Sequence, residues 1–214
     1  MNITLLCSDA NHPVNDYLYA WMKRQGSAKN IQLIRKKADA TGGDILFLIS
    51  CAEIITSQDR SKYRASLVLH ASDLPTGRGW SPHIWGIERG DDSITLSLLE
   101  AEDKLDSGRI WRKTTIPVPK HALWNEINHL LFEAEIAHID FAVENFDVVV
   151  PYPQSTETTP TYFAKRSPAN SKINPEMTIA EQFDLIRVCD PNRFPAYFEY
   201  LGHRYTLKIE KSDE

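Results

Sequence analysis

The chain has 214 residues, 42% of them hydrophobic and 25% charged, which suits one domain with a substantial buried core. Twenty-four Lys and Arg against 29 Asp and Glu leave a net charge of −5, which argues against a nucleic-acid partner but not against a local basic pocket for a phosphate. Cys7, Cys51 and Cys189 are too few and too scattered for a disulfide framework or a zinc cage, and no leader pattern or 18-residue apolar run occurs. The expectation is a cytoplasmic protein with no membrane association and no metal.

Ile3 to Cys7 reads as a short buried strand. Asn11-His12-Pro13 offers a cap for a helix over Val14 to Arg24, in which Tyr17, Leu18, Trp21 and Met22 recur at helical spacing. Gly26 ends it, and Ile31 to Ile34 predicts a second strand. After the Gly42-Gly43 turn, Asp44 to Ile49 is a continuous apolar run of the kind found in parallel sheets. Asp59 to Tyr63 predicts a short helix, and Leu67 to Leu69 a strand ending at His70.

Next comes the loop Leu74-Pro75-Thr76-Gly77-Arg78-Gly79, then a helix over Trp80 to Glu88 with Pro82 admissible only in its first turn. Ile94 to Leu99 predicts a strand, Glu100 to Gly108 a polar loop, and Arg109 to Val118 an extended segment. Ala122 to Val143 is long and amphipathic, with Leu123, Ile127, Leu130, Leu131, Ala134 and Ile136 on one stripe. Pro151 to Pro160 is a linker rich in Pro, Ser and Thr. A last helix is expected over Ile179 to Val188, and a β-hairpin over Phe194 to Ile209 turning at Gly202.

Strands alternating with helices predict an α/β fold, a Rossmann-like and mainly parallel central sheet flanked by helices, with a small C-terminal helix and hairpin extension. Ligands in such folds bind beyond the carboxyl ends of the strands, where Ser8, Ser50, Cys51 and His70 lie. Taken alone, His70 is more often a structural histidine than a catalytic one. Asp106, in Lys104-Leu105-Asp106-Ser107-Gly108, is more often a turn residue.

Together they carry more. The segment reads His70-Ala71-Ser72-Asp73-Leu74-Pro75, then Arg78-Gly79, Pro82 and Gly90, and closes on Asp106-Ser107-Gly108-Arg109-Ile110, 36 residues after the histidine. In this register it resembles the folate-dependent formyltransferases, whose shared domain is the N-terminal one of methionyl-tRNA formyltransferase. Lys165-Arg166-Ser167-Pro168-Ala169-Asn170-Ser171-Lys172-Ile173, Leu185-Ile186-Arg187 and Asn192-Arg193-Phe194-Pro195-Ala196 resemble elements of the sugar N-formyltransferases. Arg78 to Trp85 is most similar to the enzymes of pseudaminic acid-type pathways. One departure stands out: the family has asparagine two residues before the histidine, and here that position is Val68. Losing one oxyanion donor costs ~2.7–4 kcal/mol, so Ser72, His70 or loop amides around Gly79 are the candidate substitutes.

The resemblance implies a catalytic domain over residues 1–150, an extension over 151–214 packed on it, and formyl transfer from N10-formyltetrahydrofolate to an amine. His70 is then expected to hydrogen-bond the formyl oxygen as it becomes negative, with Asp106 orienting it and helping move the amine proton, and Ser72 assisting. Cys51, Ala52, Ile54, Glu102, Asp103, Lys104 and Leu105 are expected around the pterin. Arg78, Gly79, Trp80, Lys165 and Arg166 are expected at the substrate, which the resemblance makes a UDP-linked 4-amino-4,6-dideoxy-hexosamine. Trp80 and Trp85 also suit an ordinary helix core. The alternatives are a relative that binds folate or nucleotide sugar without turnover, or an enzyme for another amine such as glycinamide ribonucleotide. Monomer and homodimer both stay open.

Overall fold

A computed structural model describes residues 1–212. Its centre is a six-stranded sheet made of β1 (Asn2–Leu6), β2 (Asn30–Ile34), β3 (Gly43–Leu48), β4 (Tyr63–His70), β6 (Ser93–Glu100) and β7 (Ile110–Pro117), in the order β2-β1-β3-β4-β6-β7. β2, β1, β3 and β4 pair in parallel; β6 runs against both of its neighbours. The fold is therefore α/β with a mainly parallel sheet.

Both faces of the inner strands are buried, so alternate residues enter different cores. Ile3, Leu5, Cys7, Ile45, Phe47, Ile49, Leu67 and Leu69 join the larger core beneath α1 (Val14–Gln25), α3 (Pro82–Glu88) and α4 (Trp124–Glu144). Leu6, Leu46 and Leu48 face a smaller core with Ile34, Ile55 and Tyr63. Val68 points to this second side and also reaches the cluster of Leu74, Leu99 and Ile110. Trp21 on α1 donates to Asp140 on α4 at 2.6 Å, which fixes the two long helices side by side.

Two boundaries and one buried face differ from expectation for local reasons. The short helix α2 spans Ser57–Arg60 rather than Asp59 to Tyr63, because Thr56 and Asp59 form a reciprocal capping box and Tyr63 opens β4. The helix expected over Ile179 to Val188 is broken at Gln182, whose side chain bonds back to Asn174; only Phe183–Arg187 is α-helical (α5). The stripe of α4 also buries two polar groups, Glu135 and His138, that its apolar periodicity conceals.

Beyond the linker, β8 (Tyr162–Phe163) pairs in parallel with β5 (Arg78–Gly79), so the chain after residue 150 returns to the loop that follows His70. The hairpin β9 (Ala196–Tyr200) and β10 (His203–Leu207) forms as expected and packs on Ile173, Ile186 and Cys189. No helix among the described residues is long and apolar enough to cross a membrane, and no group of three or more His, Cys, Asp and Glu among them is placed to hold a metal.

Candidate active site

His70 is the last residue of β4, with its side chain 8% exposed. Its Nε2 lies 2.9 Å from the Gly77 carbonyl, so that nitrogen donates, and its Nδ1 lies 3.7 Å from Asp106 Oδ2. That second distance is an electrostatic contact rather than a hydrogen bond. Asp106 is also buried and adopts a left-handed backbone, φ +50°. Its Oδ2 accepts the Gly79 N–H at 2.9 Å, which turns the carboxylate toward the imidazole. The turn that presents it is closed by Ser107 Oγ donating to Lys104 O, and a Cβ at Gly108 would sit 1.9 Å from Glu100 O, so only glycine fits there.

Ser72 N–H donates to His70 O, and the Ser72 carbonyl accepts from Ser97 Oγ. Its own Oγ is buried without a partner in the protein, close to Gly77. Of the candidate substitutes for the asparagine, the Gly79 amide is committed to Asp106 and His70 Nε2 to Gly77 O, while the Ser72 hydroxyl has no partner in the protein. Asp73 has a plain role: it pairs with Lys113 at 2.6 Å, and the same ammonium donates to Leu74 O, tying the loop to β7.

The two loops assigned to the pterin meet. The first leaves β3 through Ser50, whose φ is +48°, and is anchored to the end of β1 by Ala52 N–H donating to Ser8 Oγ. Arg60 then reaches across, donating to Ile55 O at 2.9 Å and to Asp103 at 2.7 Å. Ile54 and Leu105 stand 84% and 58% exposed, one on each loop. Glu102 and Lys104 are exposed beside them. Burial pushes the Cys51 thiol up, so it is a poor nucleophile and fits a lining role.

The residues expected at the amine substrate divide. Trp80 is 40% exposed, not a core residue, and Lys165 Nζ sits 4.8 Å from its ring centre. Trp85 is the packed one, stacked on Phe163 and donating to Ala164 O. Arg166 is occupied: it pairs with Glu88, donates to Asn170 O and lies over Trp85. Arg78 is buried and turned inward, with Nη2 donating to Gln154 Oε1 at 2.6 Å and Nη1 to Tyr162 Oη at 3.2 Å. Gly79 contributes its N–H to Asp106; at φ +97°, with Phe163 O 2.5 Å from a Cβ position, it admits no side chain.

Several residues at this end of the sheet carried no motif. His12 Nδ1 accepts the Val14 N–H, which leaves Nε2 to donate to Ser50 Oγ at 3.2 Å; burial and then the Arg193 charge push its pKa down to about 4. His83, in the first turn of α3, is pushed down to about 3, chiefly by burial, so its ring is neutral. Its Nδ1 is buried without a partner. Asn-His-Pro reads as a helix start, which is one of the jobs His12 does; its place beside Ser50 depends on the tertiary fold.

The formyl transferase family model matches residues 8–139. Methionyl-tRNA formyltransferase of Rickettsia bellii is 30% identical over 177 residues, 80% of this chain and 56% of that protein, so the chain spans about half the length of such relatives. Among solved structures, tetrahydrofolate-bound HypX from Aquifex aeolicus superposes with a TM-score of 0.79 at 20% identity, covering 95% of this chain and 36% of that one. A sugar N-formyltransferase from Shewanella sp. FDAARGOS_354 superposes with a TM-score of 0.73 at 15% identity, covering 100% of this chain and 99% of that one. These two likenesses establish the shared fold. The family model takes in both His70 and Asp106 and most of the sheet, and on that ground the chain belongs to the formyl transferase family.

Proposed function

We propose that this protein transfers a formyl group from N10-formyltetrahydrofolate to the amine of a nucleotide-linked 4-amino-deoxysugar, with a UDP-4-amino-4,6-dideoxy-hexosamine as the favoured substrate and the cytoplasm as its compartment. The observation that carries the chemistry is the buried His70–Asp106 pair at the end of β4. The folate is assigned to the edge where Arg60 joins two loops: apolar Ile54 and Leu105 stand exposed there, with Cys51, Ala52, Glu102, Asp103 and Lys104 on the same loops. For the amine substrate the support is Trp80 with Lys165, an exposed aromatic face beside a cation, which suits a base or sugar ring and a phosphate.

In the reaction the amine nitrogen bonds to the formyl carbon, the bond from that carbon to N10 breaks, and the proton given up by the amine is balanced by one taken up at N10 of the released tetrahydrofolate. His70 releases its contact to Gly77 O and donates to the formyl oxygen as negative charge builds there. Asp106 holds the imidazole from the Nδ1 side and accepts the amine proton directly or through water. Ser72 Oγ supplies the donor that the family asparagine gives elsewhere, because Val68 cannot. Burial of both partners keeps the pair ordered before substrate arrives.

The test is to incubate the protein with N10-formyltetrahydrofolate and a panel of UDP- and dTDP-linked 4-amino sugars, and to look by mass spectrometry for one added formyl group. A formylated sugar whose formation stops in His70→Ala supports the proposal. Formylation of methionyl-tRNA instead, the reaction for which the Rickettsia relative is named, moves the substrate assignment to tRNA. Folate binding with no product on either amine favours a binding-only relative, the reading that Val68 motivates.

A further inference from the structure

The linker contributes to the catalytic pair. Gln154 Nε2 donates to Asp106 O at 2.8 Å and to Gly108 O at 3.0 Å, while its Oε1 accepts from Arg78 Nη2 at 2.6 Å. The amide orientation is set by chemistry, since a guanidinium can only donate and a carbonyl can only accept. We propose that Gln154 is a positioning residue for formyl transfer: it clamps the Asp106 turn in the conformation that aims the carboxylate at His70.

A non-glycine residue at φ +50° is strained and persists only where its surroundings over-determine it. Here the restraints are the Gly79 N–H on the carboxylate, the close approach of Gly108 to Glu100 O, and Gln154 on the carbonyls at 106 and 108. Among the described residues Arg78 forms no ion pair with a carboxylate, so its charge polarises the amide it touches and strengthens the donation on the far side. The Arg-Gly dipeptide thus acts on Asp106 twice, from Gly79 through one N–H and from Arg78 through Gln154. This inference rests on the reading of His70 and Asp106 as the reacting pair and is independent of which amine is formylated.

Gln154→Glu is the diagnostic variant. It keeps an acceptor for Arg78 and even offers it an ion pair, but it sets carboxylate oxygens against two carbonyls in place of a donor. The first readout needs no substrate: the Gly79 amide proton shift and the His70 ring nitrogen shifts by NMR, in the unsubstituted protein, in Asp106→Asn and in Gln154→Glu. The proposal expects Gln154→Glu to remain folded by circular dichroism and to move these signals in the direction that Asp106→Asn moves them. The second readout is turnover. Gln154→Glu is expected to lower kcat about 10- to 100-fold, the scale of a small misplacement of a catalytic group, with KM for the formyl donor little changed. In an Asp106→Asn background it is expected to cost nothing further. Unmoved signals in a folded variant, or losses that multiply in the double variant, overturn it. Gln154→Asn, one methylene too short to reach both carbonyls, repeats both readouts if the glutamate variant does not fold.

Discussion

Gly79 N–H donates to Asp106 Oδ2 at 2.9 Å, and that same oxygen faces His70 Nδ1 at 3.7 Å. A backbone amide thus joins the carboxylate and the imidazole as a third partner, and glycine is required there because of its positive φ and the closeness of Phe163 O. Gly79→Ala places a methyl 2.5 Å from Phe163 O at φ +97°. We expect a loss of about 1–3 kcal/mol by urea unfolding, together with a loss of formyl transfer from the displaced carboxylate. Full activity in this variant contradicts the assigned geometry.

His70→Ala and Asp106→Asn are each expected to lower turnover by about 100- to 10,000-fold while leaving the thermal melt within a few degrees. The comparison that matters is between them. Since Asp106 acts partly through His70, the double variant is expected to be little worse than the poorer single one.

Val68 shares the sheet face of His70, two residues earlier on β4, where the family places asparagine. Val68→Asn is expected to raise turnover tenfold or more, and to cost about 1–3 kcal/mol because Leu74, Leu99 and Ile110 offer the amide no partner. Its counterpart, Ser72→Ala, is expected to lower turnover, since that hydroxyl is the free donor. Rates unchanged in both variants place the oxyanion donor elsewhere.

Trp80→Ala and Lys165→Ala are expected to raise KM for the nucleotide sugar by roughly 5- to 50-fold each, the equivalent of about 1–2 kcal/mol. KM for the formyl donor is expected to hold steady. A reversed pattern moves the folate to the Trp80 side of the cleft.

Stability against pH has a definite sign. His12, His83 and His138 are held neutral, with pKa values pushed down to about 4, 3 and 4, chiefly by burial. As pH falls below 6.5 the unfolded chain takes up protons that the folded chain refuses, so stability is lost with acid. Glu135, buried on α4 with one oxygen unpartnered, is pushed up to about 8 by burial. Above pH 4.5 the unfolded chain releases a proton that the folded chain keeps, and this contribution is lost as pH rises to 8. Three groups outweigh one below 6.5, and above it Glu135 gives the decline, joined nearer pH 9 by the buried thiols, so the maximum falls near pH 6.5. Urea midpoints across pH 5 to 9 check this; Glu135→Gln is expected to flatten the alkaline decline.

The strands of the parallel half were legible because a period of two with both faces apolar leaves few other solutions, as Ile3 to Cys7 and Asp44 to Ile49 illustrate. Leu96 to Leu99 announces burial equally well, yet nothing in an apolar run tells that β6 runs antiparallel to β4. The His70–Asp106 pair was legible from several residues in register. What Arg78 does was not, since its partner lies 76 residues away in a stretch that reads only as linker. Trp80 and Trp85 look alike in sequence; Phe163 and Ala164 decide which of them is packed.

The pairing of β5 with β8 bears on how the protein can be dissected. A fragment ending at Val150 retains the whole central sheet, His70 and Asp106. It lacks the strand that lies along Arg78 and Gly79, the Thr161 hydroxyl that accepts the Gly77 N–H, and Gln154. We expect such a fragment to keep a folded sheet while the Asp106 turn, still held by Gly79 and Gly108, loses its Gln154 contacts. Parentage and the proposed competence thus draw on different stretches of the polypeptide: the first is recognised from the leading two-thirds, and the second is expected to need the segment that follows.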